Sequence, residues 1–364
     1  MLDCNYTING IDNIPDYEIR IKRQDYFFDN EIIDRPVVLI PVYKPYESKY
    51  KKDYKLLRDK WLDFDFVSDC IIEQVENTEY YGDALPNIFP NLGPEILSAF
   101  CGCDLEFGET TSWSSPIIND WERDIDKIAF SEDNFYFKKI NEFTDILLQK
   151  GVGKFYTGLT DLHPGGDAIA AFRDPERLNM DLIDDPDYVK EAIHKFEPIY
   201  YKIFDYFYDK LIKNNQPCST WHHIVCSRRF YIASNDFSCM ISDRMFKEFF
   251  LQGIIDECKF YKNTIYHLDG PDALSHLDTL LDIKELNAIQ WVPGAGLDVF
   301  SNDFNLPILK KIQAAGKGIQ FYIRPYELDT IMENLKPQGV HLSVYTVKDK
   351  DEADCVLKRI EKWK

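Results

Sequence analysis

The chain has 364 residues, 45% hydrophobic and 29% charged, a globular composition that excludes a disordered chain and suits a large α/β domain. Forty-two Lys and Arg against 62 Asp and Glu leave a formal net charge of −20, which sets the protein's own field against a phosphate backbone and excludes nucleic acid as the expected partner. No apolar run reaches the roughly 18 to 20 residues that cross a bilayer, and Met1 to Asn5 is polar rather than a basic leader, so no membrane partner and a cytoplasmic location are expected. Nine scattered cysteines read as reduced thiols, mostly in the core, rather than as a disulfide framework.

In chain order, short apolar or β-branched runs predict strands at 37–42, 84–89, 155–159, 237–241, 264–267, 288–292, 319–323 and 340–345. Helical patterns separate them. Asp185-Pro186 marks one helix start, with Ile193, Phe196, Tyr200, Ile203, Phe207 and Leu211 on one face and a kink expected at Pro198. Ser242 caps a second, Gly270-Pro271 opens a third, and a last amphipathic helix carries Ala353, Val356, Leu357 and Ile360. Strands alternating with helices predict an α/β fold, a (β/α)8 TIM barrel: residues 1–35 form a helical N-terminal extension and 36–364 a single barrel domain.

Chemistry in such barrels sits where strands end, and polar groups crowd those places here. Asn91 follows the second strand, and Asp161 and His163 follow the third. His267 and Asp269 end the fifth, Trp291 the sixth, Arg324 the seventh, and Tyr345 the eighth. Side chains two apart on a strand point the same way, so His267 and Asp269 can share one ligand and are the catalytic candidates. Asn91, Asp161, His163, Trp291, Arg324 and Tyr345 are the substrate-binding candidates, with Arg324 placed to grip a carboxylate. Pro164-Gly165-Gly166-Asp167 reads equally as a turn. Trp221-His222-His223 reads as a packing or surface feature, and Gly294-Ala295-Gly296 as a loop that a ligand can approach closely.

The stretches 83–107, 160–177, 239–250 and 266–296, in that order and spacing, resemble the uroporphyrinogen decarboxylase-like superfamily, which includes the cobalamin-linked methyltransferases. The arginine-rich segment of the decarboxylases is missing: Tyr43-Lys44-Pro45-Tyr46 stands in its place, without the guanidinium forks a polycarboxylate needs. The zinc-dependent methyltransferases resemble one another in H-x-C at the end of the fifth strand, where this chain has His267-Leu268-Asp269. Imidazole with carboxylate is an acceptable zinc pair. On the last strand His341, Ser343 and Tyr345 share the inward face, which makes His341 the third candidate metal ligand. The resemblance implies transfer of a methyl group from an O-, N- or S-methylated small molecule to a corrinoid protein, with or without zinc. The chain has no D-x-H-x-x-G corrinoid motif, so the corrinoid is expected on a partner. Two alternatives stand beside it: a metal-free decarboxylase or lyase of a small carboxylic acid, using His267 as acid or base, and a silent binding module. Assembly as a homodimer is left open.

Overall fold

The computed structural model describes residues 6–294 and 299–364; Met1 to Asn5, and Ala295 and Gly296 of the glycine loop, lie outside them. Eight strands carry the architecture: β1 (Val37–Tyr43), β2 (Asn87–Ile88), β3 (Tyr156–Thr157), β4 (Phe230–Ser234), β5 (Asn263–Asp269), β6 (Ala288–Val292), β7 (Gly318–Ile323) and β8 (Val340–Val344). Six of them form one parallel array in the order β1-β8-β7-β6-β5-β4, with the antiparallel strand Thr78–Gly82 on the outer edge of β1. β2 and β3 pair in a separate parallel ladder. From β4 to β8 each strand of the array lies beside its chain successor, and β8 lies beside β1, which is the singly wound order of a TIM-like fold. The ladder of backbone bonds is not continuous round the arc that holds β2 and β3.

The strand expected at 237–241 is a correction. The fourth strand is Phe230–Ser234, buried along its whole length, and Asp236–Met240 is a 3-10 turn. A parallel strand covered on both faces reads as a continuous apolar run, and Phe230-Tyr231-Ile232-Ala233 is that run. The helix starts at Asp185 and Ser242 and the chain's last helix stand where expected, whereas Gly270-Pro271 opens a 3-10 segment, Pro271–His276, before the short helix Leu277–Leu281. Pro186–Lys213 follows Asp185 and runs on through Pro198, burying Phe196, Tyr200, Ile203, Phe207 and Leu211. The Ser242 hydroxyl accepts from the Met245 N–H at 3.3 Å to cap Asp243–Phe249. No described helix is long and apolar enough to cross a membrane. The described cysteines are free thiols, and Cys101, Cys103, Cys218, Cys226 and Cys258 are buried.

The helix Tyr17–Phe27 lies across the amino-terminal ends of the strands. Phe27 meets the His341 ring edge-on at 5.3 Å, and Asn287, just before β6, donates to the Phe28 carbonyl at 3.0 Å. A buried ion network fastens this helix to β1. Asp83, fully inaccessible, takes Arg35 at 2.5 Å, Arg23 at 3.0 Å and the Val38 N–H at 3.0 Å. Its carboxylate forms the ion pair of the buried Arg35. Removing one partner of such a network strands the others in a desolvated place. Asp83→Ala is therefore expected to lower the unfolding free energy by about 3–5 kcal/mol in urea denaturation, and a loss below about 1 kcal/mol would contradict this role.

Candidate active site

Register fixes which side chains share a face. Ser234, His267, Gln290, Gln320 and His341 form one row across β4 to β8, and Tyr322, Ser343 and Leu39 are aligned one step further along β7, β8 and β1. This polar face is the inner one. The other face carries Leu268, Trp291, Phe321 and Leu342, all buried. On the inner face the Nδ1 of His267 makes a close hydrogen bond with Oε1 of Gln290. An amide oxygen only accepts, so Nδ1 holds the proton and Nε2 keeps a lone pair.

His163, four residues before the third residue of helix Gly165–Arg173, is the centre of a second set of contacts. Its Nε2 lies 2.7 Å from Asp161 Oδ1, and its Nδ1 lies 2.9 Å from Ser234 Oγ and 3.6 Å from Asp167 Oδ2. Asp167 Oδ1 also accepts the Phe237 N–H at 2.9 Å, which joins the loop after β3 to the loop after β4. The turn is close-packed by design of its glycine: a Cβ on Gly166 would stand 2.3 Å from Asn235 Oδ1. The stretch Pro164 to Asp167 is therefore not a free-standing turn but the cap and first residues of the helix Gly165–Arg173, and a part of the site. Burial works against the His163 charge, but Asp161 and Asp167 outweigh it and raise its pKa well above 6.5. His163 is an imidazolium at neutral pH.

Asp236, in the first turn after β4, joins the two sets. Its carboxylate lies within 4.8 Å of ligand atoms of His163 and Asp167 on one side, and of His267 and Asp269 on the other. Its pKa is pushed up to about 6 by the desolvating walls and by Asp167 and Asp269, against the pull of His267 and His163. His163, Asp167 and Asp236, with Glu95 and Ser98, form the polar part of a cleft of about 260 Å³, whose other walls include Pro94, Ala171 and Phe237. Trp221 stands between the imidazoles, stacked on His163 at 6.2 Å and edge-on to His267 at 5.3 Å. The residue set aside as packing is therefore part of this mouth. Its neighbour His222 is buried, and burial, with the nearby His341, His267 and His223, holds it well below the usual histidine range.

Other expected site residues are placed elsewhere. His341 does face inward, but it is the second residue of β8, packed on Phe27 at the amino-terminal end, and it is not brought together with His267 and Asp269. Strands in such a fold are staggered, so one hydrogen-bonded row runs from near the carboxyl end of β5 to the amino end of β8. Burial depresses the His341 pKa to about 3. Trp291 is inaccessible and donates to Asn305 on the outer helix Asn305–Ala314 at 2.8 Å; Gln290 takes the inward position. Asn91 is exposed and accepts the Gly93 N–H at 2.7 Å, closing a turn. Arg324 and Tyr345 lie together at the rim, the guanidinium 5.3 Å from the ring centroid and 3.0 Å from the Tyr326 hydroxyl.

No family model matches the chain, and no curated protein matches it. Among solved structures, a methyltransferase from Methanosarcina mazei is similar in fold, with a TM-score of 0.53 and 10% sequence identity over 94% of this chain and 98% of that one.

The His163 pairing has a definite pH signature. A folded-state pKa raised above 6.5 gives stabilisation that is complete below the unfolded value and is lost as pH climbs through the folded one. Asp161→Asn is expected to lower the melting temperature most near about pH 6 and progressively less toward about pH 9. A penalty that grows with pH would contradict the charged state assigned to His163.

Proposed function

We propose that the chain is a cytoplasmic methyltransferase of the uroporphyrinogen decarboxylase-like superfamily, moving a methyl group from an O-, N- or S-methylated small molecule to a separate corrinoid protein. The observation that carries this reading is the placing of His267, Asp236 and Asp269 within one ligand sphere at the mouth of a fold shared with a solved methyltransferase. The barrel is taken as closed in this reading.

The donor set suits a zinc ion. Imidazole and two carboxylates are ligands zinc accepts, and a metal-binding histidine characteristically donates its other N–H to an oxygen, as His267 does to Gln290. Asp236 takes the place first given to His341. Zinc bound there would supply Lewis acidity, drawing electron density from the heteroatom that carries the methyl group. The chain's own groups do the rest. When the methyl–heteroatom bond breaks, its electron pair stays on the heteroatom, and the His163 imidazolium on the same cleft wall stabilises that charge and holds a proton for it. Trp221 keeps the two imidazoles apart and shields them from water.

Zinc titration of chelator-treated protein tests the assignment. Wild type is expected to bind zinc stoichiometrically, and His267→Ala, Asp236→Ala and Asp269→Ala to lose it. His341→Ala should bind as wild type, while Gln290→Ala, which frees the His267 ring, should weaken binding about 10- to 100-fold. Absence of zinc binding by the wild type, or its loss in His341→Ala alone, would overturn the metal-assisted mechanism.

A further inference from the structure

We propose that a second cavity, beside the imidazole–carboxylate cluster, is a pocket for an uncharged aromatic ligand that carries a hydroxyl group, with His223 accepting that hydroxyl's proton in a hydrogen bond. Calling the ligand the substrate rests on the methyl-transfer reading; the pocket itself does not.

The cavity has a volume of about 300 Å³ and opens on the inner face between β1, β2, β7 and β8. Tyr43, Tyr80 and Tyr322 give it aromatic walls, and Leu39, Leu85 and Ile88 an apolar lining. None of its described lining residues is Asp, Glu, Lys or Arg, in a chain of which 29% is charged. An ion entering it would lose water without finding a counter-charge. A cavity of roughly 150 Å³ already holds benzene, so a substituted ring fits.

His223 supplies the specific contact. Its backbone sits at φ 58°, in the left-handed region that costs a β-carbon-bearing residue strain. Asn87 Nδ2 donates to the Thr220 carbonyl at 2.9 Å, which fixes the amide so that its Oδ1, 3.0 Å from His223 Nδ1, accepts. Nδ1 therefore carries the proton and Nε2 the lone pair. Enclosure lowers the His223 pKa, keeping the ring neutral, yet the residue retains exposed surface where it lines the cavity. The pocket also adjoins the cluster: Tyr322 on its wall is close enough to Gln290, which holds His267, for the two side chains to influence each other.

Saturation-transfer NMR with phenol, anisole, benzoate and benzylammonium as probes tests this. Phenol is expected to bind about tenfold more tightly than anisole, which has no proton to give, and than either ion. His223→Phe should bring phenol down to the anisole level. His223→Gly, which relaxes the left-handed backbone, should keep or raise the melting temperature while losing the same preference. Benzoate or benzylammonium binding as well as phenol, or a phenol preference surviving in both variants, would overturn the proposal. Zinc titration of His223→Gly separates the two readings: phenol binding without zinc leaves the pocket standing and removes the metal, and zinc without phenol does the reverse.

Discussion

Period-two alternation on strands closed off from outside by helices is the constraint on which this structure rests. Leu268, Trp291, Phe321 and Leu342 take the outward positions and are buried against the helical layer. The inward positions must then hold whatever the outer layer cannot, and in this chain they hold Ser234, His267, Gln290, Gln320 and His341. Buried polar groups are tolerated where they are hydrogen-bonded. His267 finds Gln290, and Gln320 Nε2 reaches Ser343 Oγ at 3.4 Å. Among the described residues Gln320 Oε1 and both ring nitrogens of His341 stay without a hydrogen-bond partner, so the row is satisfied at His267 and only in part beyond it.

The mouth has two electrostatic characters. On the side of β3, β4 and β5, Asp161, Asp167, Asp236 and Asp269 face His163 and His267, and carboxylates this close raise one another's proton affinity. That side is the acidic and titratable one. On the side of β1, β2, β7 and β8, tyrosines, Asn87, Ser343 and a neutral His223 line a cavity free of formal charge among its described residues. In the proposed function the first side takes the metal and the bond that breaks, and the second the uncharged body of the ligand.

How far the site could be read from sequence follows the same physics. Alternation is local, so His267 and Asp269 could be assigned to one face without coordinates. Stagger between strands is not local, and it carries His341 to the amino-terminal end although its facing was read correctly. The phase of β6 was also hidden, because its run is apolar on both sides of Gln290, and Trp291 turned outward. The largest omission came from one displaced strand. Reading it at 237–241 hid the true strand end, Ser234-Asn235-Asp236, which supplies the carboxylate that joins both clusters. Seven of the eight strand positions overlap those observed, since β-branched runs between helices are legible in themselves. Trp221 had no such signal; only the fold sets it between two imidazoles.

The central claim is that the carboxyl ends of β4 and β5 build a single metal-binding mouth. The most direct measurement is anomalous diffraction at the zinc edge from crystals of the protein equilibrated with zinc. The account predicts one strong peak within coordination distance of His267, Asp236 and Asp269. A strongest peak at His341, or zinc confined to the outer surface, would contradict it.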